Sequence, residues 1–306
     1  LAVREFDAGM IRVLLMTEGF RGIYHDQVTL AGDSPLTVSW NDQTLEVTAG
    51  EEFTVLPGDE RLAGGRMLVT AADGGEIRVC SLKREEVQPS YGGRLELVDS
   101  GEGLVLINEL YLEDYLKKVI PSEMPPSYEK EALKAQAVCA RTYAYMQIQS
   151  NTYSQYGAHV DDSTNFQVYN NMAGDPNTEA AVDETYGKML LYEGKPVTTY
   201  YFSTSCGTTA DSSVWGGDPG LTPYLKGVTL QPGRRTLKFD SNDEFASFIK
   251  RMDYPAYDSS FPFYRWNVTT RADILTANIG GVGTVESLQV TERGSGGVAQ
   301  ALLVKG

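Results

Sequence analysis

Apolar and polar residues alternate through much of the first third of the chain. Ile11-Arg12-Val13-Leu14-Leu15, Leu36-Thr37-Val38-Ser39-Trp40, Gln43-Thr44-Leu45-Glu46-Val47 and Glu76-Ile77-Arg78-Val79-Cys80 read as strands, most of them with the period of two that suits a half-buried sheet. Asn41-Asp42, Ala49-Gly50, Pro57-Gly58, Gly64-Gly65 and Asp73-Gly74-Gly75 punctuate these runs, and Tyr91-Gly92-Gly93 closes the series. Such spacing predicts hairpins of a small antiparallel sheet or barrel over residues 1–107. His25-Asp26 has no nucleophile near it in sequence and reads as a surface pair.

The period changes near Glu109. Leu112, Tyr115, Leu116, Val119 and Ile120 fall at i, i+3, i+4, i+7 and i+8, which puts them on one face of a helix. Pro121 should end that helix, because it lacks a donor and clashes with the preceding turn. Ser122-Glu123-Met124-Pro125-Pro126 then makes a tight, stiff connection. A second helix is predicted from Ser127 as N-cap, with Glu129 and Glu131 at its positive end. Leu133, Ala137, Ala140, Ala144 and Ile148 form one stripe, and Ala132, Ala135, Val138 and Cys139 extend apolar character around it, the pattern of a central, buried helix. Lys134, Gln136 and Arg141 on such a helix need partners or line a cleft. For Arg141 the alternative is a structural ion pair with an acidic residue.

Residues 150–180 read as a long polar loop, and long loops often carry function. Strands are predicted at 188–192 and 197–202 around a Glu193-Gly194 turn, short helices at 243–252 and 271–278, and strands at 287–291 and 299–304 joined by a Gly-rich turn. The fold class is therefore α+β: a β-rich N-terminal region, central buried helices with hairpin strands, and further β strands toward the C-terminus. Composition places the border between a β-rich region, 1–107, and a core, 108–306.

Charge narrows the partners. With 26 basic and 41 acidic residues the formal net charge is -15, so no basic field attracts nucleic acid. No apolar run is long enough to span a bilayer. Three cysteines, Cys80, Cys139 and Cys206, are odd in number and far apart, which gives neither a disulfide framework nor paired zinc spacing. His159-Val160-Asp161-Asp162 offers imidazole and carboxylates without helical ligand spacing, so a structural or solvated role is the simpler one. A nucleophilic pairing of Cys206 with His159 has no third residue to orient it. Ser203-Thr204-Ser205-Cys206-Gly207 and Asp211-Ser212-Ser213-Val214-Trp215 suit a polyhydroxyl ligand, with a plain loop as the simpler reading.

Glu123 stands between Pro121 and Pro125, beside Met124, and Tyr111, Tyr115 and Tyr128 are its aromatic neighbours in sequence. A carboxyl partly shielded from water there holds its proton more readily and can act as general acid. On residue type alone, an exposed turn glutamate accounts for it better.

A resemblance reverses that ranking. Asn108-Glu109-Leu110-Tyr111-Leu112-Glu113-Asp114-Tyr115-Leu116, Ser122-Glu123-Met124-Pro125 and the run from Glu131 through Ala135-Gln136-Ala137 to Arg141-Thr142-Tyr143-Ala144 are similar in order and spacing to the stage II sporulation protein D family. Gln167-Val168-Tyr169, Tyr186-Gly187-Lys188, Tyr201-Phe202-Ser203-Thr204-Ser205-Cys206-Gly207 and Val214-Trp215-Gly216-Gly217 extend the likeness over roughly residues 91–230. The resemblance implies a lytic transglycosylase that cleaves the MurNAc-GlcNAc bond of peptidoglycan glycan strands stripped of stem peptides. The alternative within the family is a noncatalytic, peptidoglycan-binding amidase enhancer. Glu123 matches the catalytic glutamate, serving as acid and then base. Gln136 and Arg141 match positions that line the cleft or support the residues lining it, and Tyr201, Ser203 and Ser205 match the sugar site. The partners implied are glycan strands and other cell-wall hydrolases, and the location is the outer face of a bacterial membrane or the cell wall. Some members bind zinc through Cys and His before the segment matching Gln167-Val168-Tyr169. That stretch here has no cysteine, so no metal and no cofactor are expected. The family's C-terminal Gly-His-Gly motif is also not found.

Overall fold

Strands form where the sequence alternates. In the computed structural model, which describes residues 2–5, 9–150, 152–170, 173–231, 233, 237, 239 and 241–306, the first are β1 (Ala2–Glu5), β2 (Met10–Leu15), β3 (Val28–Gly32), β4 (Leu36–Trp40), β5 (Gln43–Val47) and β6 (Phe53–Val55). They are followed by β7 (Arg66–Ala71), β8 (Ile77–Val79), β9 (Ser90–Tyr91), β10 (Arg94–Asp99) and β11 (Leu104–Tyr111). Next come helices α1 (Leu112–Glu123) and α2 (Lys130–Ile148), strand β12 (Val160–Asp161), helix α3 (Pro176–Glu184) and the pair β13 (Lys188–Tyr192) and β14 (Lys195–Pro196). All of these lie in one compact unit, Leu1–Tyr200.

A seven-stranded sheet runs β12-β2-β11-β10-β7-β4-β5, antiparallel except where β12 joins β2. A second sheet runs β6-β3-β8-β9, and β1 pairs with β13 beside β14. Leu104-Val105-Leu106-Ile107 is a continuous apolar run because β11 is buried along its length up to Leu110, between β2 and β10. The border set by composition at 107/108 thus falls inside β11, and β11 joins the N-terminal sheet to α1. Asn41-Asp42 closes the β4–β5 hairpin with Asn41 at φ 46°, a left-handed conformation that asparagine tolerates well. Glu193-Gly194 does the same between β13 and β14.

Three helix boundaries differ from the sequence reading. α1 continues through Pro121 to Glu123: the proline has no N–H to give to Lys117 O, and the helix ends two residues later. Ser122 Oγ donates to Lys118 O at 3.0 Å and Met124 N to Ile120 O at 2.9 Å, closing that turn. α2 begins at Lys130 with Glu129, not Ser127, at its N-cap. The 150–180 stretch contains β12 and most of α3, whose start is marked by Asp175 accepting from the Asn177 N–H at 2.8 Å and by Pro176 in the first turn. Residues 197–202 form no strand: past Pro196 the pairing with β13 is reduced to Val197 N donating to Leu190 O at 3.3 Å, and Thr199 Oγ1 turns to donate to Cys139 O at 2.7 Å.

His25 is buried rather than superficial, and its Nε2 donates to Leu15 O at 2.8 Å. Burial and the nearby Arg84 hold its imidazole below the usual range. Arg84 and Asp162 form a buried ion pair, with Nη2 to Oδ2 at 2.5 Å, and the Met16 N–H donates to the other carboxylate oxygen at 3.0 Å. Burial raises the Asp162 carboxyl to about 6 despite the pull of Arg84.

The second unit, Tyr201–Gly306, contains α4 (Asn242–Ile249), α5 (Ala272–Ile279) and the hairpin β15 (Ser287–Arg293) and β16 (Ala299–Lys305). Phe248, Tyr254, Ala256 and Tyr264 form its core with Phe239 and Phe245 packed on them. Among the described residues no helix is long and apolar enough to cross a membrane.

Candidate active site

β11 passes into α1 without a loop: Tyr111 is both the last strand residue and the helix N-cap. The predicted stripe of Leu112, Tyr115, Leu116, Val119 and Ile120 is buried, which fixes the helix rotation and brings Glu123, half-buried, to its C-terminal end. Against that end lies the segment 167–169. The Val168 N–H donates to Glu123 Oε1 at 2.9 Å, which orients the carboxyl plane.

Neighbouring side chains hold this segment in place. Tyr115 OH donates to Gln167 Oε1 at 3.4 Å, and Gln167 Nε2 donates to Ala140 O of α2 at 3.2 Å. Tyr169 is fully buried, its ring 5.0 Å from that of Tyr115 and its hydroxyl donating to Asn108 Oδ1 of β11 at 2.9 Å. A single stretch therefore ties together α1, α2 and the sheet at the point where it meets Glu123. A twelve-residue helix is about 18 Å long, so Tyr111, at the far end of α1, is not a neighbour of the carboxylate.

Tyr143, one turn beyond Ala140, is the residue that sequence reading did not single out. Burial raises its phenol above the ordinary value, and the charges of Tyr200, Asp161 and Glu123 push the same way. Its ring meets that of half-exposed Tyr200 edge-on at 6.5 Å. Asp161 is committed to structure: it accepts from Ser163 N and Oγ at 2.8 and 2.6 Å and from Tyr153 OH at 2.8 Å.

The remaining expected residues divide. Gln136 is buried on α2, and its Nε2 has no partner among the described residues. Arg141 is fully buried, with Nε and Nη2 each 2.7 Å from a Glu113 oxygen and further bonds to Val182 O and Lys188 O, both at 3.2 Å. This is the ion-pair alternative, and it removes Arg141 from the sugar-contacting set, because its donors face protein acceptors. Tyr201, Ser203 and Ser205 belong to the second unit, where they are half-buried, exposed and buried respectively. Ser205 Oγ accepts from Gly207 N at 2.8 Å and its N–H donates to Asp258 at 2.6 Å, so this serine shapes its own turn.

Cys206 is half-buried, and burial pushes its thiol up, the wrong direction for a nucleophile. His159 Nδ1 accepts the Arg12 N–H at 3.1 Å, a bond that requires the neutral ring, and burial with Arg12 lowers its pKa accordingly. Among the described residues no three His, Cys, Asp or Glu side chains converge to hold a metal ion.

Comparison with known proteins bears on the same region. Residues 100–192 match the family model described as SpoIID, Stage II sporulation protein. An uncharacterized protein of Brachyspira hyodysenteriae is 38% identical over 169 residues, covering 52% of this chain and 45% of the relative. The Amidase enhancer of Bacillus subtilis is 35% identical over 173 residues, 55% of this chain and 21% of the relative. Stage II sporulation protein D of Bacillus amyloliquefaciens is 34% identical over 154 residues, 46% of this chain and 44% of the relative. The matches thus cover less than half the length of these relatives. The matched stretch takes in all of β11, α1 and α2, and the 167–169 segment.

Proposed function

We propose, from the SpoIID region that residues 100–192 form, that this chain is a lytic transglycosylase of bacterial peptidoglycan with Glu123 as its acid and base. The observation that carries the reading is the placement of Glu123: half-buried at a helix end, with its carboxyl plane set by the Val168 N–H at 2.9 Å. Protonated Glu123 gives its proton to the glycosidic oxygen as the bond from the muramyl anomeric carbon breaks. The C6 hydroxyl of the same muramyl residue closes on that carbon, and the Glu123 carboxylate takes the hydroxyl proton. Attack is intramolecular, so no second carboxylate is needed to activate water, and the commitment of Asp161 to its own loop is consistent with a single-carboxylate mechanism.

In this reading Gln136, buried on α2 with an unpartnered amide nitrogen among the described residues, is a substrate contact. The substrate is the denuded glycan strand, met at the outer face of a bacterial membrane or in the wall. Mass spectrometry of glycan digests tests the reading: Glu123→Gln should abolish anhydromuramyl products while leaving folding intact, and undiminished release sinks the acid assignment. The relative named Amidase enhancer favours a second reading, in which the same surface holds glycan without cutting it. Pull-down of glycan with no new products by wild-type protein would establish that one.

A further inference from the structure

A cleft of about 400 Å³ opens beside the Glu123 helix. Its wall includes Lys118 of α1, five residues before Glu123, and Asn170, two residues beyond the Val168 N–H that holds the carboxylate. Those offsets correspond to roughly 7 to 8 Å along a helix and roughly 7 Å along an extended chain. The opposite wall is the turn from Arg84 through Val87, Gln88 and Pro89 to Ser90.

This turn is built at a conformational cost. Arg84 and Val87 exchange two backbone hydrogen bonds of 2.9 Å around Glu85 and Glu86, both left-handed at φ 48° and 66°, where glycine or asparagine is the usual choice. Arg84 anchors one end through Asp162, and Gln88 Nε2 ties the other to Cys80 O at 2.8 Å. Glu85 Oε1 accepts from Asn170 Nδ2 at 3.2 Å, which joins the turn to the 167–170 segment.

The lining has a definite chemistry. Lys118 is matched by Glu76 at 3.3 Å and Arg84 by Asp162, which leaves Glu85, hydrogen-bonded to Asn170, as the lining carboxylate without a cation among the described residues, so the cleft is not a site for an anion. Gln88 and Asn170 use their amide nitrogens on protein acceptors, and neither carboxamide oxygen accepts a hydrogen bond from another described residue. Lys118 spends one bond on Glu76 and an ammonium has three to give. Val87, two-thirds exposed, Pro89 and Ala173 supply apolar surface. Acceptors for hydroxyl and amide N–H, a donor for carbonyl and small apolar groups for a methyl together match a neutral N-acetylated sugar.

We propose that this cleft is a binding subsite for an N-acetylhexosamine unit of the glycan, at a distance from the bond that Glu123 acts on. The ligand class rests on the proposed function, but the site stands on its own lining. Chitotetraose is the probe, since it carries the acetamido groups of the glycan and lacks the lactyl ether of the muramyl residue. In a titration followed by ¹⁵N and ¹³C NMR, Val87, Ala173 and the Gln88 and Asn170 side-chain amides should shift together. Gln88→Ala, on an exposed turn, should weaken binding about fivefold, the weight of one neutral hydrogen bond. Lys118→Ala should do the same, and Glu123→Gln should bind as tightly as wild type. Shifts confined to other residues, or no saturable shift at millimolar sugar, overturn the subsite whatever the activity of Glu123→Gln. An active Glu123→Gln protein with the cleft still binding overturns the acid assignment alone.

Discussion

Removing Glu113 tests how the site is held. Its carboxylate takes two 2.7 Å bonds from Arg141, whose side chain is wholly buried, while the glutamate side chain is 15% exposed. In Glu113→Ala the guanidinium keeps its weaker bonds to Val182 O and Lys188 O but loses its counter-charge. Stranding one member of a buried pair costs about 3–5 kcal/mol, a large part of the roughly 5–15 kcal/mol that keeps a domain folded. The double variant Glu113→Leu/Arg141→Met has no stranded charge, and its loss is confined to neutral groups left without a partner, the carbonyls that Arg141 bonded and the Gly187 N–H that Glu113 accepted, about 1–3 kcal/mol. Urea unfolding followed by circular dichroism should show Glu113→Ala as less stable than the double variant, the loss falling on the transition of the unit Leu1–Tyr200. The Arg141→Met protein, assayed on glycan below its unfolding transition, should retain its product release. A Glu113→Ala loss under about 1 kcal/mol, the value of an exposed pair, would refute the reasoning, as would an Arg141→Met protein of full stability with no activity.

Three further outcomes follow from the geometry. Tyr169→Phe leaves Asn108 Oδ1 buried without its donor, so about 1–3 kcal/mol of stability should be lost in urea titration, and an unchanged midpoint would contradict that bond. His25 and His159 are both held below their ordinary value of 6.5, chiefly by burial. Below 6.5 the unfolded chain takes up protons that the folded chain does not, so their contribution is full above that pH and is lost as pH falls toward the folded values. Asp162, raised to about 6, works the other way below that pH, because its folded form takes up the proton first. Stability should therefore drop between pH 7 and 6, and His25→Gln should flatten the slope; identical slopes would exclude His25. Iodoacetamide at neutral pH should modify Cys206 slowly and leave glycan cleavage intact, because burial disfavours the thiolate, whereas rapid parallel loss of both would revive the cysteine.

Local patterns were legible wherever one element settles its own shape. The alternation at 36–40 and 43–47 and the Asn41-Asp42 turn predict the β4–β5 hairpin residue for residue. The stripe from Leu112 to Ile120 predicts the face α1 buries. Pro121 misleads because a proline forfeits only its own bond, and the turn is closed around it by Ser122 and Met124. Helix α3 was missed although Asp175-Pro176 spelled a cap and a first turn, since the surrounding polarity suggested a loop. Residues 197–202 have strand-like composition but spend Thr199 on α2 instead of a ladder. The site was half legible. Glu123 and the Gln167-Val168-Tyr169 segment were visible as motifs, but their contact joins residues 45 apart, and nothing local encodes it. Arg141 shows the converse: a buried charge announces a need for a partner without saying whether protein or ligand meets it.

The junction at Tyr111 has a geometric consequence. Because β11 is an interior strand of a seven-stranded sheet and becomes α1 with no intervening loop, the helix is phase-locked to the sheet. Inserting one residue there would turn every later side chain by about 100° and advance it by about 1.5 Å. Glu123 would then point away from Val168 even if every other contact survived. The reading frame between strand and helix is thus a dimension of the site in its own right, and a transplant of Glu123 and its neighbours into another scaffold has to carry the strand with it.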